Sequence, residues 1–254
     1  MTMRRWASAG LAALIAGAIA GPASAVTCRQ TDFEGRGYAV CEVQAGEDLR
    51  LWLNGPDGRP LGTFERVRAL LAAEGRVLAF AMNGGMYHPD RRPVGLYIED
   101  GQEGARIVTA GSRGNFGMRP NGVFCVSDNG FSVIESRTFA ADPPPCRHAT
   151  QSGPMLVIDG ALHPRFLADS DSLFTRNGVG VAPDGQRAFF AISDGPVNFH
   201  DFARLFRDGL GVRDALFLDG SISRLYAPRI GRDDFGFPMG PIIGVAAPAD
   251  KESN

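Results

Sequence analysis

"ALFLDGSISRLYAP", residues 215–228, sets four apolar residues against an abrupt Asp219-Gly220, with Ser221, Ile222, Ser223 and Arg224 following. So short an apolar run, closed by a turn signal, has the length of a buried strand and not of a helix. The same ending recurs. "VLAFAMNGGMY" (77–87) runs into Asn83-Gly84-Gly85, and "FFAISDGPVNFHDF" (189–202) into Asp194-Gly195 and a helix start. Asp-Gly stands at 57–58, 159–160, 184–185, 194–195, 208–209 and 219–220, at irregular intervals, which points to many short strands without a repeat.

Outward from these endings, one strand is expected from Cys41 to Leu53, where Leu49, Leu51 and Leu53 alternate with polar neighbours. Others are expected at 77–82, 94–98, 105–109, 123–126, 131–134, 155–158, 178–182, 188–192 and 242–246. Thr63 caps a helix whose face is Phe64, Val67, Leu70 and Leu71, ending at Gly75. A second helix follows Asn198, with Asp201 near its positive end and Phe202, Leu205 and Phe206 as its apolar face. The Pro-rich stretch 138–149 reads as a loop pinned by Cys146. Two helices among so many strands exclude a doubly wound α/β protein. The expected class is α+β, one strand-rich domain with a few helices packed against it.

Residues 1–25 read as a secretory signal peptide: Arg4 and Arg5, a short apolar run from Ala7 to Ala20, and the small residues Ala23-Ser24-Ala25. Cleavage leaves one domain, 26–254, with 24 basic and 28 acidic residues, a net charge of about −4. The arginines are scattered, so no nucleic-acid partner is expected, and no segment after the leader would span a membrane. The expected compartment is the periplasm or the outside of the cell. Cys28, Cys41, Cys125 and Cys146 allow three pairings; sequential pairing, Cys28–Cys41 and Cys125–Cys146, closes two short loops and is the expected one. The four histidines, 88, 148, 163 and 200, lack the spacing of a zinc site, and Ser152 in "TQSGP" lacks a nucleophile elbow.

Apolar strands ending in glycine and a carboxylate or amide offer bare backbone N–H groups to an anion and a fixed acid beside it. Five segments in order carry this pattern: "FAMNGGMYHPDRRPVGLYIEDG", "MRPNGVFCV", "TQSGPMLVIDG", "TRNGVGVAPDG" and "ALFLDGSISRLYAP". Together, over roughly residues 75–246, they resemble the phosphodiester glycosidase family, which includes a lysosomal enzyme that removes a covering N-acetylglucosamine and many exported bacterial proteins. The resemblance implies an α+β fold with mixed sheets and an exported hydrolase that cleaves the glycosidic bond of a sugar-1-phosphodiester. The family's Asn-Gly-Gly falls on Asn83, Gly84 and Gly85, its Ser-Gly-Pro on Ser152, Gly153 and Pro154, its arginine on Arg176, and its Asp-Gly on Asp194 and Gly195. Its last motif, Asp-Gly-Gly-Gly-Ser in better studied members, is Asp219-Gly220-Ser221-Ile222-Ser223 here, and Ile222 in place of glycine implies a reshaped pocket.

An anomeric C–O bond breaks with positive charge developing on the sugar, so a nearby carboxylate stabilises or attacks it. Asp219 is the expected principal carboxylate and Asp194 its partner, as base or metal ligand. Arg176 and Arg119 are the expected phosphate holders, and Asn83, Asn121, Ser152, Gly84, Gly85, Gly220 and Ser221 the remaining substrate contacts. No cofactor is required, although Asp159, Asp194 and Asp219 would suit Ca²⁺ or Mg²⁺ if they converged. Two other readings stand beside this one. A metal-assisted phosphodiesterase would cut the P–O bond with the same groups. A non-catalytic module would bind envelope glycan or exopolysaccharide, although only Trp52 remains as a tryptophan platform after the leader.

Overall fold

The computed structural model describes residues 26–111, 114–219 and 222–249; the leader, Gly220 and Ser221 lie outside them. The first strands are β1 (Thr27–Phe33), β2 (Arg36–Gln44), β3 (Leu49–Trp52), β4 (Arg76–Asn83), β5 (Tyr97–Glu99) and β6 (Gln102–Ala105). Next come β7 (Gly122–Ser127), β8 (Gly130–Glu135), β9 (His148–Ser152), β10 (Met155–Ile158), β11 (Ala161–Leu162) and β12 (Asn177–Val181). Last are β13 (Arg187–Ser193), β14 (Asp214–Asp219), β15 (Leu225–Ala227), β16 (Arg232–Asp233) and β17 (Ile242–Pro248). The α-helices are α1 (Phe64–Ala73), α2 (Ser136–Ala141) and α3 (Phe199–Arg204).

The strands form three sheets, ordered β1-β2-β13-β12-β14-β10-β11, β16-β15-β4-β17-β3 and β6-β5-β9-β7-β8. One core joins all three: Cys41, Val43, Val179, Phe190 and Leu218 of the first, Leu51, Phe80 and Val245 of the second, and Phe124 and Val133 of the third. The opposite face of the seven-stranded sheet, with Tyr38, Val40, Phe189 and Phe217, packs on Phe202 and Phe206 of the α3 region. Both faces are therefore covered, which explains why its strands read as continuous apolar runs although the sheet is antiparallel.

The chain is a strand-rich α+β single domain, as its punctuation indicates. The sheets are not mixed, however: every described pairing is antiparallel. The reason is local to the second sheet. The unit β3–α1–β4 is a crossover that would set two parallel strands side by side. The distant strand β17 inserts between them and pairs antiparallel with each.

Three expected segments also differ. Cys41–Leu53 breaks at Gly46 (φ +92), where the Ala45 N–H donates to Gln186 O at 2.7 Å and the Glu47 carboxylate accepts the Gln44 N–H at 2.7 Å. Residues 106–109 form no strand because the Gln151 side chain satisfies both backbone groups of Val108, at 2.9 and 2.7 Å. The stretch 138–149 begins in helix α2, which Glu135 caps by accepting the N–H groups of Arg137 and Thr138 at 2.9 and 3.0 Å. Both helix caps expected at Thr63 and Asn198 form, with Asn198 accepting the Asp201 N–H at 2.8 Å. Cys28 is bonded to Cys41 across the β1–β2 hairpin, and Cys125 to Cys146.

Candidate active site

Asp219 ends β14 where strand ends from all three sheets meet. Just ahead of it the β12–β14 register slips: Asn177 faces Asp219, but Gly178 faces Phe217, leaving Leu218 as an extra residue. Such a bulge bends a strand and re-aims its last side chain. Asp219 is only 7% exposed. Its N–H donates to Oδ1 of Asn177 at 2.9 Å, and Asn177 Nδ2 donates to the backbone oxygen of Asn83 at 3.3 Å. From the third sheet, Ser152 Oγ donates to Leu218 O at 2.8 Å.

Asn83, fully buried at the end of β4, closes the assembly. Its Oδ1 accepts the Arg224 N–H at 2.7 Å, its Nδ2 donates to Ile222 O, and the same nitrogen lies 3.4 Å from Asp219 Oδ2. The amide thus holds both ends of the turn after Asp219. Ser223 Oγ, within reach of both Asp219 O (2.9 Å) and Thr175 O (3.0 Å), ties the turn from its other side. Gly85 takes φ +152 with Thr150 Oγ1 where a Cβ would lie at 2.6 Å, and a Cβ on Gly84 would press to 2.9 Å from Leu51. These glycines permit close packing of β4, not an open cradle. Ile222 turns into the apolar cluster of Trp52, Phe64 and Tyr226, so its side chain builds the wall behind the turn.

Two residues that the sequence reading passed over enter here: Tyr87, within the electrostatic reach of Asp219, and Arg224, at the far end of the turn that Asp219 begins. Tyr87 has a buried hydroxyl with no hydrogen-bond partner among the described residues. Burial raises its pKa first, and the negative charge of Asp219 adds to this while Arg91 and Arg224 oppose it, so the phenol is protonated and available as a donor. Arg224, 8% exposed, makes no ion pair with a described carboxylate, and its pKa is lowered by burial. It lines a cavity of about 580 Å³ with Thr63, Phe64, Arg68, Phe235 and Met239. Arg224 was legible as the next polar residue of the last motif, and Tyr87 as the aromatic closing "NGGMY".

Other expected site residues lie elsewhere. Arg176 is 1% exposed, its guanidinium 3.6 Å from the Phe199 ring centroid, its Nε donating to Val197 O (2.8 Å) and its Nη2 to Ser172 O (2.9 Å). Burial lowers its pKa to about 10. The aromatic walls of Phe174, Phe199 and Phe217 take the place of an anion, so this arginine is part of the core. Arg119 is exposed and among the described residues its side chain donates to Thr109 O at 3.4 Å, while buried Asn121 donates to Phe116 O at 3.0 Å and shapes that loop. Asp194 is exposed and ion-paired to Arg232 at 3.0 Å; Arg232 also holds Asp234, which accepts the Leu225 N–H. Asp159 pairs with Arg213 at 2.8 Å and accompanies Asp214 at the opposite end of β14 from Asp219. Five residues of strand separate the two by about 16 Å, so the three aspartates do not converge. Among the described residues no three His, Cys, Asp or Glu side chains gather as a metal site.

The sequence profile of the phosphodiester glycosidase family matches residues 76–240. An uncharacterized protein of Escherichia coli K12, YigE, is 37% identical over 180 residues, covering 71% of this chain and 70% of its own. Among solved structures, the zebrafish N-acetylglucosamine-1-phosphodiester alpha-N-acetylglucosaminidase catalytic domain, auto-inhibited by its pro-peptide, superposes with a TM-score of 0.59 at 15% identity. That match covers 87% of this chain and 81% of the zebrafish one. A hypothetical protein from Synechocystis superposes at 0.54 with 14% identity, over 87% of this chain and 62% of its own. The chain belongs to the phosphodiester glycosidase family.

Proposed function

We propose that the protein is an exported hydrolase that cleaves the glycosidic bond of a sugar-1-phosphodiester, with Asp219 as its principal carboxylate. The observation that carries this reading is the fixing of one buried aspartate by amides from two other strands at the junction of three sheets. Family membership supports the reaction class. Export is supported by the leader-like first 25 residues and by two disulfides, which suit an oxidising compartment; among the described residues no helix is long and apolar enough to cross a membrane.

Hydrolysis breaks the bond between the anomeric carbon and the phosphate oxygen, water supplies the new hydroxyl, and a phosphomonoester leaves. The phosphate is already a competent leaving group, so the site must chiefly stabilise positive charge on the sugar and hold the phosphate. Asp219 answers the first requirement. Its backbone and turn are tied on both sides, so it needs little rearrangement as charge develops. The buried, protonated hydroxyl of Tyr87, without a partner among the described residues, is in this reading the donor to a sugar or phosphate oxygen.

The test is NMR-monitored hydrolysis of the methyl phosphodiester of α-N-acetylglucosamine-1-phosphate by the mature protein and its Asp219→Asn variant. Release of reducing sugar with an intact phosphomonoester, lost in the variant, supports the reading. Cleavage of the P–O bond would replace it with a phosphodiesterase.

A further inference from the structure

We propose that the cavity beneath the 233–239 loop is the subsite for the leaving half of the substrate, with Arg224 holding the phosphate and Phe235 and Phe237 receiving an apolar aglycone. The inference rests on the phosphodiester glycosidase reading and names the residues that would set its specificity.

Arg224, like Arg176, is a buried guanidinium without an ion pair to a described carboxylate, but unlike Arg176 it lines a cavity. A guanidinium this buried is normally matched by a carboxylate. Here the candidate acids are committed elsewhere. Asp234 is held by Arg232 at 3.1 Å and by the Leu225 N–H at 2.9 Å, and Asp233 lies 3.5 Å from Arg68. Only Glu65, exposed on the first turn of α1, adds a further carboxylate to the cavity. Gly236, at φ +145, lets the loop lie directly on the guanidinium: a Cβ there would fall 2.5 Å from Nη2 of Arg224. The loop thus covers the cation, and Asp234 acts on it only at a distance, without an ion pair. A phosphate with two free oxygens matches its fork of donors.

The position of Arg224 relative to Asp219 also fits. Asn83 binds the Arg224 backbone and contacts the Asp219 carboxylate, and Tyr87 lies within the electrostatic reach of both side chains. In the proposed arrangement the anomeric carbon sits at Asp219 and, at the other end of the turn, the phosphate at Arg224. Beyond it, Phe235 and Phe237 flank Gly236 at 95% and 78% exposure. Two phenyl rings standing in water beside a cavity of about 580 Å³ form a surface that an apolar group would cover.

The experiment is calorimetric titration of the mature protein with benzyl phosphate and methyl phosphate, which needs no turnover. Benzyl phosphate is expected to bind, and Arg224→Met to weaken it about tenfold or more, with Arg224→Lys intermediate. The surface pair Phe235→Ser/Phe237→Ser is expected to erase the advantage of benzyl over methyl phosphate without lowering the melting temperature. The subsite is overturned if benzyl phosphate does not bind, if folded Arg224→Met binds it within twofold of the parent, or if the phenylalanine pair leaves the preference intact. Benzyl phosphate binding through Arg224 in a protein that releases no sugar would retain the subsite and remove the glycosidase reading. Sugar release with an unchanged KM in Arg224→Met would do the reverse.

Discussion

Replacing Asn83 with alanine tests whether Asp219 depends on its neighbours. The amide serves two backbone groups on the turn, Ile222 C=O and Arg224 N–H, and approaches Asp219 Oδ2 at 3.4 Å. In Asn83→Ala the Arg224 N–H is left buried without an acceptor, and the Ile222 oxygen loses its donor. A buried orphan costs about 1–3 kcal/mol. Ile222 is half-buried and its oxygen can recruit water, so the loss should total about 2–4 kcal/mol. A domain of this kind survives that loss, and urea denaturation should show a lower midpoint with an unchanged slope. Activity should fall further than stability. With the turn untethered, kcat for a sugar-1-phosphodiester should drop about a hundredfold, equivalent to about 2.7 kcal/mol, and KM should change less. Asn83→Asp separates the two halves of the amide: it keeps the acceptor for Arg224 but sets a second carboxylate against Asp219 and the Ile222 oxygen. Burial and like charge raise the folded-state pKa of that carboxylate, so its penalty is absent below the unfolded pKa and grows as pH rises towards the folded value. The variant should therefore stand above Asn83→Ala in acid, where the protonated carboxyl keeps the acceptor and can donate to the Ile222 oxygen, and lose that advantage as pH rises towards neutrality. Loss of less than about 0.5 kcal/mol in Asn83→Ala, within the range of an ordinary surface change, or turnover equal to the parent, refutes this account of the site.

Tyr87→Phe removes a buried hydroxyl that has no described partner, so the melting temperature should hold or rise while kcat/KM falls about tenfold or more; a fall in both would mark the hydroxyl as structural. Arg176→Lys gives up the stack on Phe199 and the bond to Val197 O, and should cost about 2–3 kcal/mol in denaturant without raising KM, whereas a raised KM would return Arg176 to the phosphate. His148 is held neutral by burial, which outweighs Asp100 and lowers its pKa to about 4. Below the unfolded value of 6.5 the unfolded chain takes up a proton that the folded one refuses, so stability should decline from pH 6.5 towards 4, by roughly 3 kcal/mol in all. His148→Phe should remove that part of the acid slope, and an unaltered urea midpoint–pH curve would count against it.

Most of the architecture was legible because turn chemistry is local. Asp-Gly and Asn-Gly pairs end strands wherever they stand, and Thr63 and Asn198 cap their helices with bonds that span three residues. What was hidden depends on distant partners. Strand 106–109 was lost to one glutamine 43 residues away, and the antiparallel second sheet depends on β17, which follows the helix it defeats by about 170 residues of chain. The arginines show the same division. "TRNGVGV" places Arg176 beside the site in sequence, but three phenylalanines from separate segments draw its side chain into the core. Arg224 lies inside the quoted last motif, but its significance arises from Gly236 and from acids whose ion pairs are made elsewhere.

Why asparagines should hold the central aspartate follows from where it sits. At a strand end the ladder stops, and each backbone group there needs a partner that the sheet no longer supplies. At the meeting point of three sheets those partners must come from strands with no common register. An amide carries a donor and an acceptor on one short arm, so it can accept from one strand and donate to another. Asn177 does this between β14 and β4, and Asn83 between the two ends of the turn after Asp219. Two more carboxylates in those places would repel Asp219, and two alanines would leave its neighbours unsatisfied. The charge at the junction is therefore concentrated on one residue, and the neutral amides around it make that residue rigid. The double variant Asn83→Ala/Asn177→Ala should accordingly be less damaged than the sum of its parts, because either loss alone already releases the turn. Strict additivity in both stability and turnover would mean that the two amides support Asp219 independently, and the junction would not act as one unit.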